Sequence, residues 1–242
     1  MNINTVTPNF VTSFTSRNNP IKPINVKSES DNITISEIDY DKDVTPAFIT
    51  EITNFFCKNF MDNTKYLPLI KIRDGSPEEK EYYLGEFKSY YSDIFKSEKE
   101  AGNITMLTAK DGNNKLVGGF LAYPYHVLPK SEENTLYLDS LAVDPSMRGL
   151  HLAQIMMDET LEANKNNFTD AVLGSTPGAV KFYDRLGFKQ FDMSDEAQKV
   201  VADEINNVLD YADCLTYYTK PLQPDSPRWY TVCAREIEKN KV

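Results

Sequence analysis

The stretch of this chain whose residue types and spacing could do chemistry is Leu136-Tyr137-Leu138-Asp139-Ser140-Leu141-Ala142-Val143-Asp144-Pro145-Ser146-Met147-Arg148-Gly149-Leu150-His151-Leu152-Ala153. An apolar strand pattern stops at Asp144-Pro145. A short loop then carries Arg148 and Gly149, and an amphipathic helix begins at once. The first turn of a helix offers backbone N–H groups without intrahelical partners and the positive end of the macrodipole. Gly149 removes a side chain where a ligand must approach closely, and Arg148 adds charge. Those are the ingredients of a phosphate or pyrophosphate cradle. Many plain strand–loop–helix junctions also carry a Gly and an Arg, so the motif alone leaves both readings open. A second candidate is Asp139. A carboxylate in an otherwise apolar strand must be paired, solvated or functional. Strand alternation predicts Tyr137, Asp139, Leu141 and Val143 on one face.

These residues need elements to hold them. Ile33-Thr34-Ile35-Ser36-Glu37-Ile38 alternates as a strand does. Thr45-Pro46 reads as an N-cap with proline at the first helical position, and Phe48, Ile49, Ile52, Phe55, Phe56 and Phe60 follow at helical spacing. Pro68 falls in a connection. Pro77 opens a second helix with Leu84, Phe87, Tyr91 and Ile94 on one face, a core-type stripe. Ile104–Ala109 and Lys115–Tyr125 flank a turn signal and predict a hairpin, in which Gly118-Gly119 marks a bulge or a close backbone approach. Thr135–Val143 is a strand, Leu152–Asn164 a helix, Ala171–Ser175 a strand and Gly178–Leu186 a short helix closed by Gly187. Phe188–Phe191 and Cys214–Thr219 are the last strands. Between them, Ala197, Val201, Ile205 and Val208 repeat at helical spacing.

Composition bounds the function. The chain has 242 residues, 40% of them apolar, which suffices for a core without disulfide or metal staples. The three cysteines, Cys57, Cys214 and Cys233, are too scattered for a disulfide framework or a structural zinc, and predict a reducing, cytoplasmic setting. Two histidines, His126 and His151, exclude a His-rich metal site, and no metal is expected. No apolar run approaches the ~18 residues of a membrane helix, so no membrane partner is expected. Lys and Arg total 26 against 36 Asp and Glu, a net charge of −10, which disfavours nucleic acid. It suits a cationic partner, a small amine or a basic protein, or simply a soluble surface. Residues 192–213 carry seven acids and one Lys, either to attract a cationic acceptor or as a solvated face. Residues 1–20 hold five Asn, four Thr and two Ser, which predicts disorder over 1–32. A plain tail, an organelle transit segment and an unfolded secretion signal of an effector are the competing readings of that segment. Residues 33–222 then form one folded domain, and 223–242 a helical tail that packs on it. The oligomeric state is not legible.

The sequence resembles the GNAT superfamily of acetyl-CoA-dependent N-acetyltransferases. Their fourth strand ends in a triplet like Leu141-Ala142-Val143, followed by Pro and an Arg/Gln-x-x-Gly-x-Gly/Ala loop, here Pro145 and Arg148 to Ala153. A second family block, Ala-x-x-Phe/Leu-Tyr and then Gly-Phe, matches Ala179-Val180-Lys181-Phe182-Tyr183-Asp184-Arg185-Leu186-Gly187-Phe188. Two positions depart from the pattern: His151 stands where a Gly is usual, and Thr176 where an Asn often precedes the second block. The resemblance implies an α/β (α+β) fold with a mixed central sheet of about six to seven strands and about four flanking helices, here with an added acidic helix between the last two strands. It implies acetyl-CoA in the splay between the family's fourth and fifth strands. The pantetheine would pair with backbone at Leu141, Ala142 and Val143, and the pyrophosphate would lie on the amides of Arg148, Gly149, Leu150, His151, Leu152 and Ala153, with Thr176 nearby. Tyr183 matches the family's proton donor to the thiolate. Asp139 is the expected base or substrate contact, with Tyr137 and His126 as runners-up. The implied reaction moves an acetyl group to the primary amine of a small cation or of a protein. The alternative is a GNAT-like module that binds acyl-CoA or a partner without catalysis.

Overall fold

The structure is a computed structural model. It describes residues 20–27, 32–61, 64–101, 104–128, 130–131, 134–209 and 215–240. The elements in order are β1 (Ile24–Lys27), β2 (Asn32–Glu37), α1 (Pro46–Phe60), α2 (Leu67–Asp74), α3 (Pro77–Ala101), β3 (Thr105–Lys110), β4 (Leu116–Pro124) and β5 (Thr135–Val143). They continue with α4 (Leu152–Asn164), β6 (Asp170–Ser175), α5 (Val180–Arg185), β7 (Lys189–Gln190), α6 (Glu196–Val208), β8 (Thr216–Pro221) and α7 (Trp229–Asn240). The strands form one eight-stranded sheet in the order β1-β2-β3-β4-β5-β6-β8-β7. All neighbours are antiparallel except β5 and β6.

The mixed α/β class is as expected, and the strand count is slightly higher. One extra strand is β1. It falls inside the segment 1–32 read as disordered, because Ile24 and Val26 line up with Ile35 and Ile33 of β2 and share their apolar face. The remainder of that expectation, residues 1–19 and 28–31, lies outside the described residues, as does Cys214. The helix α2 is also additional. Pro68 sits in its first turn, where proline fits because that N–H has no helical partner anyway. Thr45 caps α1 as expected, its hydroxyl accepting from the Phe48 N–H at 3.2 Å.

Helices cover both faces of the sheet. On one face α1 and α3 bury Phe48, Ile52, Phe56, Tyr91 and Phe95 against Met106, Leu121 and Tyr123. Gly119 permits this approach: a Cβ there would lie 3.2 Å from Ile52 Cδ1 and from Phe56 Cζ. Farther along the same face, α6 and α7 cover Val172 and Tyr217 with Val201, Ile205, Trp229 and Cys233. The opposite face carries α4 and α5, with Leu152, Met156, Met157 and Leu161 over Phe120, Ala122, Leu136 and Leu173.

Two irregularities shape the middle of the sheet. First, β5 and β6 pair only from Thr135 with Asp170 to Tyr137 with Val172. Beyond that point they part, and β6 pairs along its whole length with β8. Second, the β4–β5 register skips a residue, since Leu121 faces Ser140 while Ala122 faces Leu138. Asp139 is the extra residue of a β-bulge.

The C-terminal helix is fastened at the paired end of the splay. Asp170 is 1% exposed. It forms an ion pair with Arg228 and accepts from the Trp229 backbone N–H at 3.2 Å, while Trp229 Nε1 donates to Thr219 Oγ1 at 3.1 Å. Removing one partner of a buried pair costs about 3–5 kcal/mol, and truncating a buried Trp costs about as much. Asp170→Ala and Trp229→Ala are each expected to lower urea stability by that amount.

Candidate active site

The loop after β5 is built by its own side chains. Asp144 Oδ1 accepts from the Ser146 N–H at 3.0 Å and the Ser146 hydroxyl at 2.7 Å, closing a 3-10 turn over Pro145–Met147. Those donors hold the Asp144 carboxyl below the usual carboxylate range. Gly149 then takes φ +89° and His151 φ +57°. The sequence reading gave Gly149 a steric role, but a Cβ there would meet nothing within 4 Å. The requirement is conformational: this φ suits glycine and strains other residues. The same holds at His151, which adopts a left-handed conformation rather than helical φ. The Gly usual at that position is explained by this backbone, and His bears a cost of about 1–2 kcal/mol to reproduce it. His151 is the N-cap of α4 but its side chain makes no capping bond. The first-turn amides of α4 thus receive no side-chain cap, and Arg148, Gly149 and His151 are exposed beside them.

Leu141 and Val143 pack toward α4, as do Leu150 and the buried Leu152. Ala142 faces α1 and α3. From Leu138 to Val143 no pairing joins β5 to β6, so this edge lines the splay. Ala153 lies in the first turn of α4. Thr176 follows β6, and its carbonyl accepts from the Ala179 N–H at 3.0 Å in the turn into α5.

Tyr183 on α5 packs against the core beneath α4, with ring centroids 5.9 Å from Phe188 and 6.1 Å from Tyr218. Burial pushes its phenol well above the ordinary value. Tyr183 is therefore a protonated donor at any physiological pH. Tyr218 is also raised, by burial and then by the Asp184 carboxylate beside it.

Asp139 lies on the other face, and here the sequence reading needs correction. The bulge reverses the alternation after Asp139. Tyr137, Asp139, Ser140 and Ala142 face α1 and α3, whereas Leu141 and Val143 face α4. Asp139 Oδ1 accepts from Tyr90 at 2.7 Å and Tyr123 at 3.2 Å, and Oδ2 accepts from Ser140 at 2.7 Å. The two phenols also touch at 3.0 Å, and Tyr91 meets Ser140 at 3.0 Å. Burial raises the Asp139 pKa and outweighs these donors. A carboxylate so placed is a stronger base than a solvated one.

Tyr137 packs against both the α1–α3 and the α6–α7 clusters, at the point where the splay opens. His126 is not in the Asp139 network. Its Nε2 pairs with Glu98 Oε1 at 2.8 Å, and its ring stacks on Tyr123 at 6.5 Å. Tyr90 and Ser140 were not identified from the sequence, and 49 positions separate Tyr90 from Asp139. The one available signal was that a buried Asp demands donors. Neither described cysteine is a nucleophile candidate: Cys57 and Cys233 are buried, and burial pushes the Cys57 thiol up to about 12.

If left-handed φ is what Gly149 supplies, Gly149→Ala should lose about 1–2 kcal/mol in a urea melt. Gly149→Asn should lose less, since Asn tolerates this region. Equal loss from both would point to sterics instead.

No protein of curated function matches this sequence. Residues 72–188 match the Acetyltransferase (GNAT) family. The fold is similar to that of the PaiA N-acetyltransferase of Thermoplasma acidophilum in complex with coenzyme A, at TM-score 0.50 and 12% identity, covering 78% of this chain and 98% of that one. It is also similar to a candidate acetyltransferase of Acinetobacter baylyi ADP1, at TM-score 0.50 and 16% identity, covering 84% and 99%. A GNAT acetyltransferase of Staphylococcus aureus Mu50 aligns at TM-score 0.48 and 15% identity over 78% and 99%. The acetyltransferase (GNAT) match over residues 72–188, the two signature blocks and the splayed sheet agree with one another and support the GNAT superfamily.

Proposed function

We propose that this chain is an N-acetyltransferase that uses acetyl-CoA and passes its acetyl group to a primary amine. The observation that carries the reading is the splay: an unpaired β5 edge from Leu138 to Val143 running directly into a loop that leaves the α4 amides open. The residues present fit coenzyme A. An extended amide chain can pair with the β5 edge. A pyrophosphate suits the α4 N-terminus and Arg148. The left-handed backbone at Gly149 and His151 provides the loop shape despite the His substitution. When bound, acetyl-CoA supplies an acyl thioester.

The chain's own groups then have three tasks. An alkylamine of pKa ~10 is neutral in only about one molecule in a thousand at pH 7. Asp139, with its raised pKa, accepts the proton that the amine must lose. Charge growing on the carbonyl oxygen needs a donor, and the backbone N–H groups of the unpaired β5 edge can supply one. Tyr183, kept protonated by burial, supplies the proton for the departing thiolate. Tyr183 packs on the α4 side of the sheet and Asp139 on the α3 side, so acid and base approach the splay from opposite faces. α3, with α6 and α7 beyond Tyr137, walls the acceptor side.

The acceptor is a cationic amine, either a small molecule or a protein Lys or N-terminus. The net charge of −10 favours its approach. The acids around α6 contribute less than their number suggests. Asp192 binds Ser194, and Asp195 caps α6 by accepting from Gln198 at 2.9 Å. Asp210 and Asp213 lie outside the described residues.

Calorimetry with coenzyme A and acetyl-CoA tests the reading. Arg148→Glu should weaken binding about 10–100-fold, the worth of a charged hydrogen bond. Tyr183→Phe should bind normally and lose about 100-fold in kcat. Wild-type protein that fails to bind coenzyme A would remove the proposal. Binding without transfer to any amine would favour a non-catalytic acyl-CoA module.

A further inference from the structure

Asp139 Oδ1 accepts two hydroxyls, so an acceptor amine cannot bond that oxygen without displacing one of them. Both of its oxygens already accept hydroxyl donors, and each donor comes from a different element: Tyr90 from α3, Tyr123 from β4 and Ser140 from β5 itself. Tyr123 is buried, whereas Tyr90 is only half-buried and makes the shorter bond to Oδ1. Tyr90 is thus the outer member of the cluster. Its oxygen has the geometry of an intermediary, because it donates to the carboxylate and also touches the Tyr123 hydroxyl at 3.0 Å.

We propose that Tyr90 is a catalytic residue that relays the acceptor's proton to Asp139, with Tyr123 and Ser140 as positioning residues. This rests on the acetyltransferase reading above. In the step, an N–H bond of the ammonium breaks and its proton goes to the Tyr90 oxygen. The phenol's own proton crosses the 2.7 Å hydrogen bond to Asp139 Oδ1. Tyr90 is a neutral phenol before and after, the amine becomes neutral and Asp139 becomes a neutral acid. No oxidant or further reactant is needed. The phenol never has to ionise, so its high pKa is no obstacle.

The rest of the cluster keeps the relay in register. Tyr123 holds the same oxygen and is itself stacked on His126, whose ring is fixed by the buried Glu98. Tyr91, buried on the adjacent position of α3, holds Ser140 from the other side. The two consecutive tyrosines of α3 therefore grip the two oxygens of one carboxylate, Tyr90 directly and Tyr91 through Ser140. The helix that walls the acceptor side is the one that completes the base.

The test compares wild type, Tyr90→Phe and Tyr123→Phe, with acetyl-CoA and two probe acceptors, 1,4-diaminobutane and a Lys-containing peptide. Steady-state rates are taken from pH 6 to 9.5, and coenzyme A binding by calorimetry checks that each variant is folded. Tyr90→Phe should lower kcat at pH 7 at least tenfold, with the KM for acetyl-CoA unchanged. The deficit should shrink as pH approaches the amine's own pKa of ~10, where the substrate arrives neutral. Tyr123→Phe should lose less in kcat. Each variant removes a donor to the ionised carboxylate, so in both the acid limb should move to higher pH. A Tyr90→Phe enzyme within twofold of wild type at pH 7, or one with a deficit independent of pH, would overturn the relay and leave the acetyltransferase reading standing. A wild type that binds coenzyme A but acetylates neither probe at any pH would overturn both.

Discussion

Beyond Tyr137, β5 has a strand partner on one side only. Backbone N–H and C=O groups are obligatory hydrogen-bonding groups, so a strand edge left open inside a sheet is a standing demand for a partner. The rest of the molecule serves to keep this edge open. β6 pairs along its whole length with β8, and beyond Val172 it follows β8 rather than β5. At the other end β5 and β6 stay joined through the pairing of Thr135–Tyr137 with Asp170–Val172, while Asp170, Arg228, Trp229 and Thr219 fasten β6, β8 and α7 to one another there. Helices on both faces then bury enough apolar surface to hold the two halves of the sheet at their angle.

The bulge at Asp139 is the second constraint, and it acts on direction rather than access. In a regular strand Asp139 and Ser140 would point to opposite faces. Here both point toward α3, so one carboxylate and its neighbouring hydroxyl can be held by two tyrosines of a single helix. The same skip sends Leu141 and Val143 toward α4, where they floor the loop that carries Arg148. One extra residue thus separates a polar, tyrosine-lined side from an apolar, loop-bearing side.

Much of this was legible in the residues. The span of β5, the span of α4 and the Thr45 cap follow from periodicity and turn chemistry. The loop signature carried the family and, with it, the splayed sheet. Three features were not legible, each for a physical reason. Hydrophobic alternation assumes a regular register, and nothing in Leu138-Asp139-Ser140 announces a bulge. Residues 24–27, Ile-Asn-Val-Lys, alternate apolar and polar over only four positions beside a long polar run, and it is the apolar alternation of β2 that gives this short strand something to pair with. The donors to Asp139 come from elements brought near by the fold, with Tyr90 49 positions away. His151 is a different case: its departure from the usual Gly was visible, but that the backbone keeps a glycine-like φ is a property of the folded loop.

The central claim is that the open edge of β5 and the adjoining loop receive acetyl-CoA. Backbone amide hydrogen exchange, measured residue by residue with and without acetyl-CoA, tests it most directly. Bound acetyl-CoA should give new protection concentrated in Leu138–Val143 and in the Gly149–Ala153 amides, with β1, β2 and β8 unchanged. Exchange along β5 that acetyl-CoA leaves unaltered, or protection that appears on another part of the sheet, would contradict it.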